Sequence, residues 1–181
     1  CHTSYIVNKD KIKEINKMES SKRPPIFIYT DGASSGNPGP GGFGVVLKCA
    51  HLEKEISGGF ARTTNNRMEL LAVIRGLEAI AWEKAEVNVI SDSSYVVKAI
   101  NEGWIYGWEK KGYAKVKNPD LWMRFMKVYR KHNVKFYWIK GHAGHPENER
   151  CDALAVAAGA GAVAKGIQLP EDEGYVNSES T

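Results

Sequence analysis

The sequence predicts an α/β fold: a five-stranded mixed β-sheet, three antiparallel strands followed by parallel ones, flanked by α-helices. Three observations predict it. Ile26-Phe27-Ile28-Tyr29 is a β-prone run that passes through Thr30 into Asp31 and is stopped by the turn-rich stretch Ala33 to Gly42. Two strand-like runs follow, Gly42 to Ala50 and Glu53 to Arg62, parted only by a short turn near His51, which suits an antiparallel meander. Beyond them helical and strand-like segments alternate, and a strand, a helix and a strand in succession imply parallel pairing with a right-handed crossover.

Taken in order, residues 1–25 are Lys-rich, with Ile12, Ile15 and Met18 at helical spacing, and end in Ser20-Ser21-Lys22-Arg23-Pro24-Pro25. They read as an appended, partly helical extension and linker ahead of a domain over 26–160. After the meander, Thr63-Thr64-Asn65-Asn66 supplies N-cap candidates for a helix over Arg67 to Trp82, whose stripe is Leu70, Leu71, Ile74, Leu77 and Ile80. Val87 to Ile90 is a short buried strand ending at Ser91-Asp92, and Asp92 or Ser93 caps a helix running to Asn101. In Gly103 to Lys117, Trp104, Tyr106, Trp108 and Tyr113 alternate with Lys110, Lys111, Lys115 and Lys117, with few aliphatic residues to pack; an exposed lobe is expected. Pro119, with Asn118 as cap, starts a helix to Lys131; Val134 to Lys140 is the last strand, and Glu147 to Ala160 the last helix. The acidic, Pro-broken segment 161–181 is expected to be flexible or loosely attached.

Composition sets limits. With 181 residues, 43% of them hydrophobic, the chain can bury one core, and a single domain with short extras is the working count. The net charge of +4 is unevenly spread: Lys98 to Lys140 carries eleven Lys/Arg against three acids. Cys1, Cys49 and Cys151 form no C-x-x-C pair and are odd in number, which argues against a disulfide framework or structural zinc site and suits a reducing, cytoplasmic setting. There is no membrane-length apolar run and no signal-peptide core. The first residue is Cys rather than Met, as in a fragment or a trimmed product.

The chemistry centres on Asp31, held at the rim of the sheet by its strand. The expected strand order puts Asp92 beside it, and Glu69 and Asp152 lie early in helices that reach the same edge. Taken singly, each acid has a bland reading: Asp31-Gly32 a turn dipeptide, Glu69 a first-turn acid, Asp92 an N-cap, Asp152 a surface residue. Together, four carboxylates would repel one another and raise their own pKa values unless a cation neutralised them. Hard divalent ions such as Mg²⁺ prefer all-oxygen ligands, and two of them about 4 Å apart can clamp a phosphodiester. His142, between Gly141 and Gly144 in a loop, adds a titratable group able to shuttle a proton. Aromatic and basic interleaving in 103–117 favours a nucleic-acid surface over a core edge.

With these residues in hand, the chain closely resembles the type 1 ribonuclease H family, bacterial-like, over roughly Pro25 to Gly159. The resemblance rests on Thr30-Asp31-Gly32-Ala33 with Gly36-Asn37-Pro38-Gly39, on Thr64 to Leu70, on Ser91-Asp92-Ser93, and on Lys140 to Glu149 running into Cys151-Asp152. It implies the RNase H-like fold and a monomer that cuts the RNA strand of RNA–DNA hybrids, leaving 3′-hydroxyl and 5′-phosphate ends. It also implies Asp31, Glu69, Asp92 and Asp152 as ligands for two Mg²⁺, with Mn²⁺ a substitute, and His142 as the mobile catalytic histidine. By the same resemblance Asn37, Asn65 and Asn66 contact the hybrid, Thr64 holds a DNA-strand phosphate, and Trp104, Trp108, Lys110, Lys111, Lys115 and Lys117 form the protrusion that grips DNA. Two positions depart from the family: the protrusion is short and carries Glu109, which predicts weaker, more salt-sensitive binding, and Ser94 stands where Gln is common. Rival readings are a DNA-directed transposase, integrase or resolvase of the same fold, opposed by the asparagines and the His142 loop. A hybrid-binding module without activity is opposed by an intact set of acids.

Overall fold

The computed structural model describes Ile15 and residues 23–179. Apart from Ile15 and residues 23–25, the expected N-terminal extension lies outside the described residues; Ile15 is helical and buried in the core. The elements run β1 (Ile26–Ser34), β2 (Gly39–Cys49), β3 (Leu52–Thr63), α1 (Asn65–Glu78), β4 (Glu86–Ser91), α2 (Ser94–Asn101), α3 (Trp104–Lys110), α4 (Pro119–Tyr129), β5 (Asn133–Trp138), α5 (Pro146–Ala158), α6 (Ala160–Ala164) and α7 (Glu173–Glu179).

The sheet order is β3-β2-β1-β4-β5, with β1, β2 and β3 antiparallel and β4 and β5 parallel to β1. Side chains alternate across a strand, so the two faces of β1 can be told apart by what packs on them. Ile28 meets α1, where Gly76 lies against it. Asp31 pairs with Gly44 and shares its face, and Gly44 lies against the Cys151 and Ala155 backbone of α5. A side chain at Gly44 would collide with the Cys151 carbonyl, so the glycine is what lets α5 close onto the sheet. The main core fills the α1 side: Ile28, Val45, Leu70, Ile74, Val89, Trp122, Phe125 and Phe136 are all buried.

Four expectations change. α1 ends at Glu78 rather than Trp82, although Ile80 and Trp82 still pack against the core. The last helix breaks at Gly159, and a short α6 follows. The lobe is less exposed than its composition suggests: Ile105 is fully buried, and Trp108 packs edge-on against Trp122 at 5.3 Å. Nor is segment 161–179 loose throughout, because Asp172 is buried and Pro170 accepts a backbone hydrogen bond from Ala61. Among the described residues no helix is long and apolar enough to cross a membrane.

Candidate active site

Each acid is placed by a separate local device. Parallel pairing sets Thr30 opposite Ser91, so the residues that follow, Asp31 and Asp92, emerge side by side. Glu69 comes from the opposite face, carried over the end of β1 by α1. Thr64 caps that helix, its hydroxyl accepting from the Arg67 N–H at 3.3 Å. Passage over β1 depends on Gly32, where any side chain would strike the Met68–Glu69 backbone. Asp92 is fixed by its backbone: the Trp138 indole N–H donates to its carbonyl at 3.1 Å, and the next residue, Ser93, caps α2.

Asp31, Glu69 and Asp92 each offer an oxygen within 4.8 Å of the others. Asp31 and Glu69 are each only 5% exposed. Burial pushes the Asp31 carboxyl up to about 7, and the charges of Asp92 and Asp152 add to the rise. Glu69 is driven well above the usual carboxylate range, by burial first and then by Asp31 and Asp92. Asp92 is raised as well, chiefly by burial, while the charge of His142 works the other way. Among the described residues, none of the three is ion-paired to Lys or Arg, and Glu69 Oε2 and Asp92 Oδ1 are buried with no hydrogen-bond partner. Buried carboxylate oxygens without partners are costly. A divalent cation would satisfy them, and the all-oxygen donor set suits a hard ion such as Mg²⁺.

Asp152 is half-buried on α5. It acts on Asp31 and Asp92 through its charge but stands outside the group of three. His142 is exposed, in a left-handed turn with φ of 54°. Its charge reaches Asp92. At the start of α1, Asn37 Oδ1 accepts from the Asn65 N–H at 3.1 Å, which joins two of the predicted hybrid contacts, and Asn66 is exposed beside them. Trp104 is 50% exposed, and Lys110, Lys111, Lys115 and Lys117 are all exposed. Trp108 differs, being half-buried against Trp122, so its first role is to anchor the lobe. Glu109 is paired with Arg130 from the end of α4 and does not face its lysine neighbours alone.

Sequence reasoning missed several residues. Arg67, 2% exposed, is clasped by Asp120 and Asp172. A signal for it existed: Arg67 stands at i in the i, i+3, i+4, i+7 stripe completed by Leu70, Leu71 and Ile74, where a charge needs a buried partner. Trp138, which holds the Asp92 carbonyl, carries no comparable mark. Asn118 sits at the N-cap position of α4 as expected, but with φ of 58° and no capping bond. Its side chain instead joins Arg67 and Tyr95.

Comparison with known proteins agrees with this geometry. The family model for RNase H matches residues 23–160. A ribonuclease H of Desulforamulus reducens is 55% identical over 163 residues, covering 87% of this chain and 99% of that protein. One from Trichodesmium erythraeum is 47% identical over 161 residues, covering 86% and 99%. Among solved structures, LC9-RNase H1 is 31% identical with a TM-score of 0.70, covering 77% of this chain and 74% of that one. LC11-RNase H1 in complex with an RNA/DNA hybrid is 32% identical with a TM-score of 0.57, covering 76% and 99%. With Asp31, Glu69 and Asp92 gathered at the strand ends that this fold supplies, the chain belongs to the RNase H family.

Proposed function

We propose that this chain is an endonuclease that hydrolyses the RNA strand of RNA–DNA hybrids, with 26–160 as the catalytic unit, acting as a monomer. The observation that carries the reading is the trio Asp31, Glu69 and Asp92, with oxygens within 4.8 Å of one another and two of them buried without partners. Asp31, Glu69, Asp92 and Asp152 would hold two Mg²⁺, or Mn²⁺ in their place. Bound there, such ions would supply charge neutralisation at the phosphodiester and make a water easier to ionise and so nucleophilic enough to attack it.

The chain's own residues account for the rest. Asn37, Asn65 and Asn66 offer donors and acceptors suited to the 2′-hydroxyls of a wide minor groove, the feature that distinguishes RNA from DNA. Thr64 spends its acceptor on the helix cap and keeps its O–H free to donate to a DNA-strand phosphate. Trp104 and the four lysines of the lobe grip the DNA strand. His142, on its glycine-flanked loop, would deliver a proton to the leaving 3′-oxygen as water adds to phosphorus and the P–O3′ bond breaks, which leaves 3′-hydroxyl and 5′-phosphate ends. The two rival readings differ in what would be cut: a DNA-directed transposase, integrase or resolvase would cut DNA, and a hybrid-binding module without activity would cut nothing.

The test is incubation with end-labelled hybrid, double-stranded RNA and duplex DNA in parallel, each with Mg²⁺, Mn²⁺ or EDTA. Cleavage confined to the RNA strand of the hybrid, and abolished by EDTA, is the expected result. Binding without cutting, or cutting of duplex DNA, would overturn it.

A further inference from the structure

The side-chain cluster outside the acidic site with the most complete bonding is built on Arg67, the third residue of α1 and two before Glu69. Its Nε and Nη2 donate to Asp172 Oδ2 and Oδ1 at 2.7 and 3.0 Å. Its Nη1 and Nη2 donate to Asp120 Oδ1 and Oδ2 at 2.9 and 2.7 Å. Both edges of the guanidinium are thus engaged in forked pairs, the most directional ion pair a protein can make. Nη1 also reaches Asn118 Oδ1 at 3.3 Å, and Asp172 Oδ2 accepts from the Thr63 hydroxyl at 2.7 Å.

These bonds connect parts of the molecule with different work to do. Asn118 follows Lys117 at the exit of the basic lobe; its Nδ2 donates to the Tyr95 hydroxyl at 3.1 Å, which also accepts from Trp122 Nε1 at 3.0 Å. Tyr95 lies three residues after Asp92. The line Asp172, Arg67, Asn118, Tyr95 therefore runs from the C-terminal segment, past the helix that carries Glu69, through the root of the lobe, to the helix that follows Asp92. Asn118 holds its left-handed conformation with no side-chain cap on α4, and its side-chain bonds tie the exit of the lobe to Arg67 and Tyr95.

The two carboxylates are not equivalent. Asp120 is 43% exposed and adjoins the lobe, whereas Asp172 is only 10% exposed and comes from a distant segment. That segment is seated by Ala61 N–H to the Pro170 carbonyl at 2.8 Å, and at Gly174 any side chain would collide with Asp120 and Arg67. Without Asp172 the Nε edge of Arg67 is a buried donor with no acceptor, and the Asp120 fork alone is left to hold the guanidinium against Asn118.

We propose that Asp172 is a positioning residue for hybrid cleavage: by locking Arg67 it sets the spacing between the basic lobe and the acidic cluster, so that one hybrid engages both at once. The inference rests on the nuclease reading above. The bonds of Asp172 among the described residues go to Thr63 and Arg67, not to Asp31, Glu69, Asp92 or the lobe lysines.

The test compares wild type, Asp172→Asn, Asp172→Ala and Glu179→Gln on a long hybrid that spans lobe and cluster and on a short one confined to the cluster, with the Tm of each variant measured alongside. Glu179→Gln removes the tail's pair with Arg62 and leaves Arg67 untouched. Asp172→Ala is expected to raise KM for the long hybrid about tenfold with kcat nearly unchanged, and to leave the short hybrid as it was. Asp172→Asn, which keeps one acceptor, should fall between, and it carries the test alone if the alanine variant does not fold. Glu179→Gln should match wild type. Equal losses on both hybrids, or an unchanged KM on the long one, would overturn the proposal while leaving the nuclease reading intact. Failure of wild type to cut either hybrid would remove both.

Discussion

Two residues apart on the first turns of α1, Arg67 and Glu69 enter carboxylate clusters with opposite electrostatics. Arg67 sits between Asp120 and Asp172 and supplies the positive charge they need. Burial opposes the charge of Arg67, yet the bonds to both acids hold its pKa above the ordinary value, and Asp120 is held below its own. Glu69 meets Asp31 and Asp92 with no Lys or Arg paired to them among the described residues, and all three acids are raised. The fold can evidently neutralise buried carboxylates where structure requires it. A cluster left without a basic partner among the described residues is suited to a cation from solution.

Breaking the open cluster should have the largest effect. Asp92→Asn keeps shape and the backbone bond to Trp138 but removes a ligand charge, so cleavage should fall about 10³-fold or more, equivalent to about 4 kcal/mol of barrier. Hybrid binding, followed by fluorescence anisotropy, should be unchanged or tighter, because a negative charge facing phosphates is gone. Undiminished turnover would remove Asp92 from the site. Breaking the closed cluster comes next. Arg67→Ala leaves Asp172 buried and unpaired and should cost about 3 kcal/mol in urea unfolding. Arg67→Lys should recover only part, since an ammonium cannot serve two forked acceptors; full recovery would mean that the second fork contributes nothing.

The contrast also explains what could be read in the chain. The open cluster was legible because its acids sit close to boundaries: Asp31 is the first residue of β1 beyond its pairing with β4, Asp92 follows the last residue of β4, and Glu69 lies in the first turns of α1, whereas Asp152, expected early in the last helix, lies midway along α5. Period and turn chemistry locate such positions. The closed cluster was not, because Asp172 lies in an acidic, Pro-broken stretch whose composition matches that of an unattached tail. Only the stripe position of Arg67 hinted at a partner, and a hint that a charge is paired does not say with what. The lobe divides the same way. Its lysines were evident from composition, whereas Trp108 and Ile105 turn inward because Trp122 and the core lie beneath them, which spacing alone does not reveal.

The two clusters should respond oppositely to pH in metal-free enzyme. A carboxyl raised on folding contributes stability in full below its unfolded pKa and loses it as pH climbs through the folded value. For Asp31 the window runs from 3.8 to about 7. Stability should therefore decline as pH rises across that range, by on the order of 2 kcal/mol once water reaching Asp92 and Asp152 screens the cluster. Asp120, lowered by Arg67, works in the other direction: its contribution is present above its unfolded value and is lost on acidification below about 3.8. Thermal melts in EDTA should show the decline, Asp31→Asn should flatten it, and Mg²⁺ should raise Tm more above pH 7 than at pH 5. A Tm in EDTA that rises steadily from pH 4 to 7 would contradict the electrostatics described for the open cluster.

The smallest effect is expected where neither cluster is touched. Lys110 and Lys111 are exposed at the end of α3, on a lobe pinned from below by Ile105 and Trp108. Because Glu109 beside them is engaged by Arg130, their charge is available to phosphates. Lys110→Ala with Lys111→Ala should raise KM about fivefold, roughly 1 kcal/mol, leave kcat as it was, and reduce the salt slope of hybrid binding by up to about 2. Tm should not move, since neither lysine is in an ion pair among the described residues and the lobe is held by its apolar side. A fall in Tm would show that the lysines hold the lobe in place rather than reach from it. A fall in kcat would mean that the lobe helps to shape the acidic cluster directly, and the division between gripping and cutting would have to be redrawn.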